Sequence, residues 1–296
     1  MTEAGRRRAP RTQLLRAHPR LEAVSPEPGA FDEDAMYALL AEEPDAAAAL
    51  LVDLAGAYDP VLRARARALA GRLAIRSARD ARSWRRGVGQ IVSRAGPHEG
   101  DLDVDASIER AGGRPRRAED LVVRGWMAPD QATVLCIDRS GSMAGTQVLI
   151  AATAAAGVLL AAEGRTRAGV LAFGSEAVVL RRIDERRPVS VVVDDILSLR
   201  GHGVTDLGLA LRTAAQELTG AGRSTRVAIV LSDVIATTGS DPRHAARGID
   251  HVHVLGTSEA PESVAAGRAL AKAGGGRHRV VTDLHSLAPA LTALLT

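Results

Sequence analysis

The stretch from 132 to 142, Ala-Thr-Val-Leu-Cys-Ile-Asp-Arg-Ser-Gly-Ser, joins an apolar run to a carboxylate and two hydroxyls at alternate positions. The apolar run is typical of a strand that is buried on both faces of a sheet. Asp138, Ser140 and Ser142 follow this strand directly. Because carboxylate and hydroxyl oxygens are the ligands of a hard cation, we expect a metal site in the loop after the strand.

Two more oxygen donors lie where a parallel sheet would bring them to the same edge. Thr205 is in the glycine-containing loop 201–206, and Asp233 follows the apolar run 227–231. Ligands in such folds bind beyond the carboxyl ends of the strands, where the strand order reverses. The donors contain no His or Cys, which selects Mg²⁺ over zinc or copper, with Mn²⁺ able to replace it. We therefore predict one Mg²⁺ site formed by Asp138, Ser140, Ser142, Thr205 and Asp233.

From residue 130 the sequence alternates between strand and helix patterns. This alternation predicts an α/β fold with a doubly wound, mostly parallel sheet of the Rossmann-like kind. Strands 168–173 and 176–181, joined through Gly174 and Ser175, predict a hairpin that places one antiparallel strand at the edge. The other predicted strands are 132–138, 226–232, 251–255 and 278–281, and the predicted helices are 143–163, 188–199, 206–219, 242–248, 262–273 and 284–294.

The region before residue 130 divides by composition into three parts. Residues 1–30 are rich in Arg and Pro and predict a mobile arm. Residues 31–80 predict a small helical region, in which Asp45 and Asp59 are candidate N-caps. Residues 81–129 lack long periodicity and predict a connector. The connector has alternating aspartates from 101 to 105, but this segment lacks the glycine and the bidentate acid that an EF-hand loop needs, so calcium is not expected there.

Composition argues against several classes of protein. The net charge is +3, but only 2% of the 296 residues are aromatic, which leaves few platforms for stacking nucleic-acid bases. The single cysteine, Cys136, cannot form an internal disulfide, and no apolar stretch of a secretory signal follows the first arginines, so we expect a cytoplasmic protein. The longest apolar run, 148–162, is too short to span a membrane. Nucleic acid and membrane are therefore not expected partners.

No enzymatic motif is complete in the sequence. The chain has no P-loop, and its only lysine is Lys272. Ser140 stands where a phosphatase of the DxDx type has its second carboxylate, and Ala177 breaks the G-x-S-x-G pattern around Ser175. We therefore expect a binding protein and not an enzyme.

The CIDRSGS stretch with Thr205 and Asp233 resembles the metal-ion-dependent adhesion site, DxSxS…T…D, of von Willebrand factor A (VWA) domains. The resemblance covers about residues 130 to 296. It implies that Ser140, Ser142 and Thr205 bind the metal directly and that Asp138 and Asp233 do so directly or through water. It also implies that the ion captures an Asp or Glu of a protein partner. Many relatives have Gly-Gly before the threonine, whereas here Val204 precedes it.

The overall layout also resembles bacterial VWA proteins that are encoded with MoxR-type AAA+ ATPases, including the CoxE-like group. That resemblance implies an adaptor between such an ATPase and a client protein. Two alternatives are an accessory subunit like the D subunits of Mg- or Co-chelatases, and a scaffold whose metal site is not functional. Asp206 is expected to be the N-cap of the helix that follows it, although an internal acid at this position could also fill the metal site. His202 is expected to be an ordinary loop residue.

Overall fold

The computed structural model describes residues 9–82, 90–97, 100–127, 131–140, 145–162, 166–199, 203–222, 224–235, 238 and 241–295. The side chains of 80–82, 90–92, 126–127, 243 and 295 are outside this description. The chain divides into two compact units. One unit comprises Met1–Trp84 and Gln131–Thr296, and the other comprises Arg85–Asp130.

The first part of the large unit is helical. Asp59 accepts hydrogen bonds at Oδ1 from the backbone N–H groups of Val61 (2.8 Å) and Leu62 (3.1 Å), which makes it the predicted N-cap. Asp45 is not an N-cap, because Pro44 already occupies the first turn of its helix and Glu43 precedes it. The helices are α1 (Arg11–Ala17), α2 (Leu21–Val24), α3 (Glu33–Glu42), α4 (Pro44–Leu54) and α5 (Pro60–Arg82).

Residues 9–30 differ from the mobile arm predicted for 1–30. Leu14, Leu21 and Val24 are buried in the core that α3, α4 and α5 help to form. Arg11 donates to the hydroxyl of Ser25 (2.9 Å) and to a nearby backbone carbonyl, so the polar groups of this segment are bonded as well. A few well-spaced apolar side chains are therefore enough to fix the segment. Residues 1–8 lie outside the described residues.

The small unit occupies the region predicted to be a connector. Its strands are β1 (Gln90–Ala95), β2 (Asp101–Asp103) and β3 (Val122–Met127), which form an antiparallel sheet in the order β1-β3-β2. Helix α6 (Val104–Ala111) begins at Asp103, which accepts from the N–H of Ala106 (3.1 Å) and pairs with Arg124 (2.7 Å). The aspartate thus caps a helix, and the region is a folded unit.

A six-stranded sheet forms the centre of the large unit, in the order β6-β5-β4-β7-β8-β9. All neighbours are parallel except β5 and β6, which form the predicted antiparallel edge hairpin. The predicted α/β fold class is confirmed. The strands are β4 (Gln131–Asp138), β5 (Arg167–Phe173), β6 (Ala177–Arg181), β7 (Thr225–Ser232), β8 (His251–Gly256) and β9 (His278–Val280).

Helices cover both faces of this sheet, so the unit has two apolar cores. One core joins the sheet to α7, α8, α12 and the N-terminal helices, and the other joins it to α9, α10 and α11. Helix α5 packs on α7 and α8, so that α7 lies between the sheet and a further helical layer. No helix in the described ranges is long and apolar enough to cross a membrane. The helices are α7 (Thr146–Ala162), α8 (Val189–Ser198), α9 (Leu207–Leu218), α10 (Pro242–Ala245), α11 (Pro261–Ala273) and α12 (Leu284–Leu295).

The centre of β4 holds the single cysteine in an apolar setting. Cys136 is fully buried, and burial raises the pKa of its thiol to about 12. The thiolate, which is the reactive form, is therefore suppressed.

A buried histidine in β8 makes the stability of the large unit depend on pH. Burial, with the charges of His251 and Arg277, lowers the pKa of His253 to about 4, and its Nδ1 accepts from the backbone N–H of Arg277 (3.0 Å). The pKa of His253 in the folded protein lies below the usual 6.5, so the unfolded chain takes up a proton first as the pH falls. The stability that neutral His253 contributes is therefore fully present above pH 6.5 and is lost as the pH falls towards 4. Over this pH range we expect the free energy of unfolding to fall by about 2 kcal/mol more in wild type than in His253→Asn, because asparagine keeps an acceptor but takes up no proton.

Urea unfolding of both proteins at the two ends of this pH range measures the difference. The control is His244→Asn, since the side chain of His244 is 75% exposed. This variant should keep the pH dependence of wild type. Equal pH dependence in wild type and His253→Asn would contradict the assignment.

Candidate metal centre

Asp138 ends β4 and is held by hydrogen bonds to both of its oxygens. Its side chain is almost completely buried. Oδ1 accepts from the backbone N–H of Ser140 (2.8 Å), and Oδ2 accepts from the hydroxyl of Ser232 (2.5 Å) at the end of the adjacent strand β7. A carboxylate has about four acceptor positions, so Asp138 can accept these bonds and still serve a cation or a metal-bound water.

The electrostatic setting of Asp138 favours a nearby positive charge. Burial raises the pKa of Asp138, hydrogen bonds from Ser232 and Ser140 act in the opposite direction, and the negative charge of Asp233 raises the pKa further. Asp233 follows β7, the neighbour of β4, so the two carboxylates lie at the carboxyl ends of adjacent strands. A cation bound beside both would favour their ionised forms.

The turn that carries Asp233 is strained. Val234 has a φ of 62°, a left-handed conformation that β-branched residues rarely adopt and that costs about 1–3 kcal/mol. The turn is fixed by three contacts: the N–H of Val234 donates to the Ser232 hydroxyl (2.9 Å), the N–H of Ile235 donates to Asp233 Oδ1 (3.1 Å), and the hydroxyl of Ser263 donates to the carbonyl of Asp233. These bonds hold the partly exposed Asp233 carboxylate near Asp138.

Thr205 is buried in the loop between α8 and α9, and this loop is attached to the end of β5. The backbone N–H of Asp206 donates to the carbonyl of Gly174 (3.2 Å), directly after β5. A side chain at Gly174 would meet the carbonyl of Val204 at 3.4 Å and Arg139 at 3.3 Å, so the two loops lie in close contact. Because β5 is the neighbour of β4, Thr205 belongs to the same edge of the sheet as Asp138.

Asp206 has the structural role expected of it. Its Oδ1 accepts from the backbone N–H of Leu209 (2.8 Å), which makes it the N-cap of α9. One of its carboxylate oxygens is thus engaged in the cap.

The predicted donors divide into four described residues and one that lies outside the description. Asp138, Ser140, Thr205 and Asp233 all follow or flank the carboxyl ends of β4, β5 and β7. Ser142 lies outside the described residues, as does His202. Within the described ranges there is no group of three or more His, Cys, Asp or Glu side chains that could hold a metal. A site here would therefore combine two carboxylates with hydroxyls, and this donor chemistry fits a hard cation such as Mg²⁺.

Two residues at the site were missed from the sequence. Ser232 bonds both Asp138 and the strained turn, and its only sequence signal is a hydroxyl directly before Asp233 at the end of a strand. The side chain of Arg139 is only 16% exposed; it lies against Gly174, with a guanidinium nitrogen 4.0 Å from Glu176. Its Nε is buried and has no hydrogen-bond partner among the described residues. Arg139 therefore lies against the turn between β5 and β6, with its charge directed towards Glu176.

Comparison with protein families gives a match on the part of the chain that carries these residues. Residues 133–265 match the family model of the von Willebrand factor type A domain. This segment is similar to VWA-type domains. The match covers less than half of the 296-residue chain. It includes all five predicted donors, of which Ser142 lies outside the described residues. No curated protein sequence matches the chain.

Several solved structures are similar to part of the chain. An aerotolerance-related membrane protein from Bacteroides fragilis has 20% identity and a TM-score of 0.44, over 56% of this chain and 98% of its own. The conserved hypothetical protein BatB from Bacteroides thetaiotaomicron has 18% identity and a TM-score of 0.44, over 56% and 97%. A von Willebrand factor type A protein from Catenulispora acidiphila has 22% identity and a TM-score of 0.46, over 59% and 44%. Scores this low support no conclusion about function.

Removing the Ser232 hydroxyl should weaken Mg²⁺ binding without removing a ligand. In Ser232→Ala, Asp138 loses a donor and the N–H of Val234 loses its acceptor, so both ligand-bearing loops lose a fixed orientation. We expect Mg²⁺ affinity to fall about tenfold, as is typical when a residue that orients a metal ligand is removed. Isothermal titration calorimetry with Mg²⁺ measures the change. Ser198→Ala is the control, because the Ser198 hydroxyl bonds only within α8; unchanged affinity in Ser232→Ala would refute the orienting role.

Proposed function

We propose that the protein is a Mg²⁺-dependent protein-binding adaptor in which the VWA-type domain captures an acidic residue of a partner. The observation that carries the proposal is the arrangement of Asp138 and Asp233 at the ends of β4 and β7, with Ser140 and the Thr205 loop beside them. Within the sheet, β5 lies on one side of β4 and β7 lies on the other, so the strand order reverses at β4. This position is the switch point at which doubly wound folds bind ligands.

The chemistry of the donors explains how a partner could be recognised. Ser140, Ser142 and Thr205 would hold the ion with neutral oxygens, and Asp138 and Asp233 would hold it directly or through water. The ion would supply a positive charge that its ligands do not fully compensate, and an open position for a carboxylate oxygen. The remaining work is positioning: Ser232 orients Asp138, and the strained turn orients Asp233.

This role is binding and requires no catalytic group. We propose a MoxR-type AAA+ ATPase as one partner in the cytoplasm, with a client protein as the other. The five N-terminal helices support an adaptor because they add a second surface to the same compact unit as the VWA-type domain. The alternatives are an accessory subunit of a complex like the Mg- or Co-chelatases, and a scaffold whose metal site is not functional.

The test is affinity purification of tagged protein from its source cell, with Mg²⁺ and with chelator, followed by mass spectrometry. Wild type is compared with Asp138→Ala and with the matched control Asp184→Ala, which changes an exposed aspartate in the turn after β6. We expect a protein partner that is recovered only with Mg²⁺, by wild type and Asp184→Ala. An AAA+ ATPase would support the adaptor, and a chelatase subunit would favour the alternative.

Identical partners in every condition would contradict a metal-bridged contact. The scaffold alternative predicts this outcome. Direct Mg²⁺ titration of the purified protein by calorimetry separates the two explanations, because a scaffold with a non-functional site would show no saturable binding.

A further inference from the structure

The outer face of α5 borders a groove that is rich in arginine. The groove has a volume of about 930 Å³ and lies between α5, Tyr37 of α3, and Ser190 and Asp194 of α8. We call it the α5 groove. Every residue that lines it belongs to the large unit, and all of its helices are within the described ranges.

The charge of the α5 groove is strongly unbalanced. Among the described residues, its lining contains five arginines and one acid, Asp194. Arg72 is compensated, because its guanidinium lies 2.6 Å from the carboxylate of Glu33. Arg76 and Arg79 are exposed and have no hydrogen-bond or ion-pair partner among the described residues. The groove therefore keeps a positive charge that the described part of the protein does not neutralise.

Two of the arginines are anchored in place. Arg63 donates to the carbonyl of Ala57 (2.8 Å), and Arg67 donates through Nε to the carbonyl of Ala55 (2.9 Å). The carbonyl of Ala57 is neutral, so this bond fixes the Arg63 side chain without compensating its charge. A preformed row of cations loses less side-chain entropy on binding an anion than a row of free side chains would.

The floor of the groove is apolar and small. Ala64, Ala68 and Gly71 lie among the arginines, together with the partly buried Leu73 and Ile75. Along α5 the lining arginines run from Arg63 to Arg79, a distance of ~24 Å at the helical rise. An extended peptide of about seven residues has this length. The groove thus matches a short segment that has both acidic and apolar side chains.

We propose that the α5 groove binds an acidic, partly apolar peptide segment of a protein partner, independently of the metal site. Acidic peptide is favoured over nucleic acid, because Tyr37 is the only aromatic side chain among the described residues that line the groove, and base stacking needs more. The proposal adds a second recognition site to the protein. Its ligand is a run of carboxylates, whereas the VWA-type domain would take a single one.

The probe is a fluorescein-labelled peptide of alternating Glu and Leu, about eight residues long so that it spans the groove. Its binding is followed by fluorescence anisotropy in the presence of EDTA. The test variant is Arg76→Glu with Arg79→Glu. The control is Arg65→Glu with Arg114→Glu, which makes the same change in net charge at two exposed positions outside the groove. Circular dichroism checks that each variant is folded.

We expect wild type and the control to bind the peptide, and the test variant to bind about tenfold more weakly or worse, because reversed charges face the carboxylates. Asp138→Ala should bind as wild type does, which separates this site from the metal site. Absence of binding by wild type, equal weakening in the control, or loss of binding in EDTA would overturn the proposal. Tighter binding of a labelled oligothymidylate of the same length, lost in the test variant, would assign the groove to nucleic acid instead.

Discussion

Replacing both Ser140 and Ser142 by alanine should abolish Mg²⁺ binding and, with it, Mg²⁺-dependent association with a partner. The two hydroxyls follow β4 directly, and alanine offers the ion no oxygen in their place. Wild type should gain about 2.7 kcal/mol of stability when Mg²⁺ is at one hundred times its Kd, and the double variant should gain none. Thermal unfolding with and without Mg²⁺ measures the difference.

The matched control for this prediction is Ser175→Ala. Ser175 is an exposed serine in the turn between β5 and β6, on the same side of the sheet as the Thr205 loop but outside the motif. It should keep the full Mg²⁺ response. The double variant should also fold as well as wild type in chelator. Loss of folding without metal would mean that the two serines support the structure, and an unchanged Mg²⁺ response would remove them from the site.

The sequence was sufficient to predict the α/β fold because its strands are buried on both faces. In β4, Leu135 and Ile137 face one core while Val134 and Cys136 face the other, so the whole strand is apolar and stands out from its flanks. The polar residues that follow each apolar strand can therefore be recognised in the sequence. For this reason Asp138 and Asp233 could be placed at one edge before the structure was known.

The docking of the N-terminal helices has a signal in α7 that sequence analysis did not use. Nearly every residue of α7 from Val148 to Leu160 is buried, on all sides of the helix. A helix packed only on a sheet keeps a polar outer face, so an apolar circumference requires a second cover. That cover is α5. The sequence predicted a helix over 143–163, but the helix that covers it could not be named from local pattern alone.

Other features depend on contacts between distant residues and leave almost no local pattern. Ser232 and Asp138 are far apart in sequence, and their hydrogen bond exists only because β4 and β7 are neighbours. The small unit is similar: β1 and β3 are short and not strongly apolar, and they become a sheet through their pairing. Such pairings are set by the whole fold, so neither the orienting serine nor the small sheet was predicted.

Gly276→Ala should be the most destabilising single methyl addition in the large unit that we predict. Gly276 follows α11 and lies against β8, and an added Cβ would be 2.0 Å from the carbonyl oxygen of Val252 and 3.0 Å from the backbone nitrogen of His253. Both are backbone atoms of a strand that is paired with β7, so neither can move without breaking sheet hydrogen bonds. We expect a loss of about 3 kcal/mol, which lowers Tm by roughly 6–12 °C for a unit of this size.

Gly71→Ala is the matched control, with an effect of opposite sign. Gly71 is in the middle of α5, where a new Cβ would be 3.8 Å from Val193, an ordinary contact distance. Alanine there should stabilise the helix by about 0.5–1 kcal/mol, because glycine loses more backbone entropy on folding. Urea unfolding of both variants gives the two values. If Gly276→Ala were as stable as wild type, the close approach of the segment after α11 to β8 would be wrong, and the position of β9 at the edge of the sheet would be wrong with it.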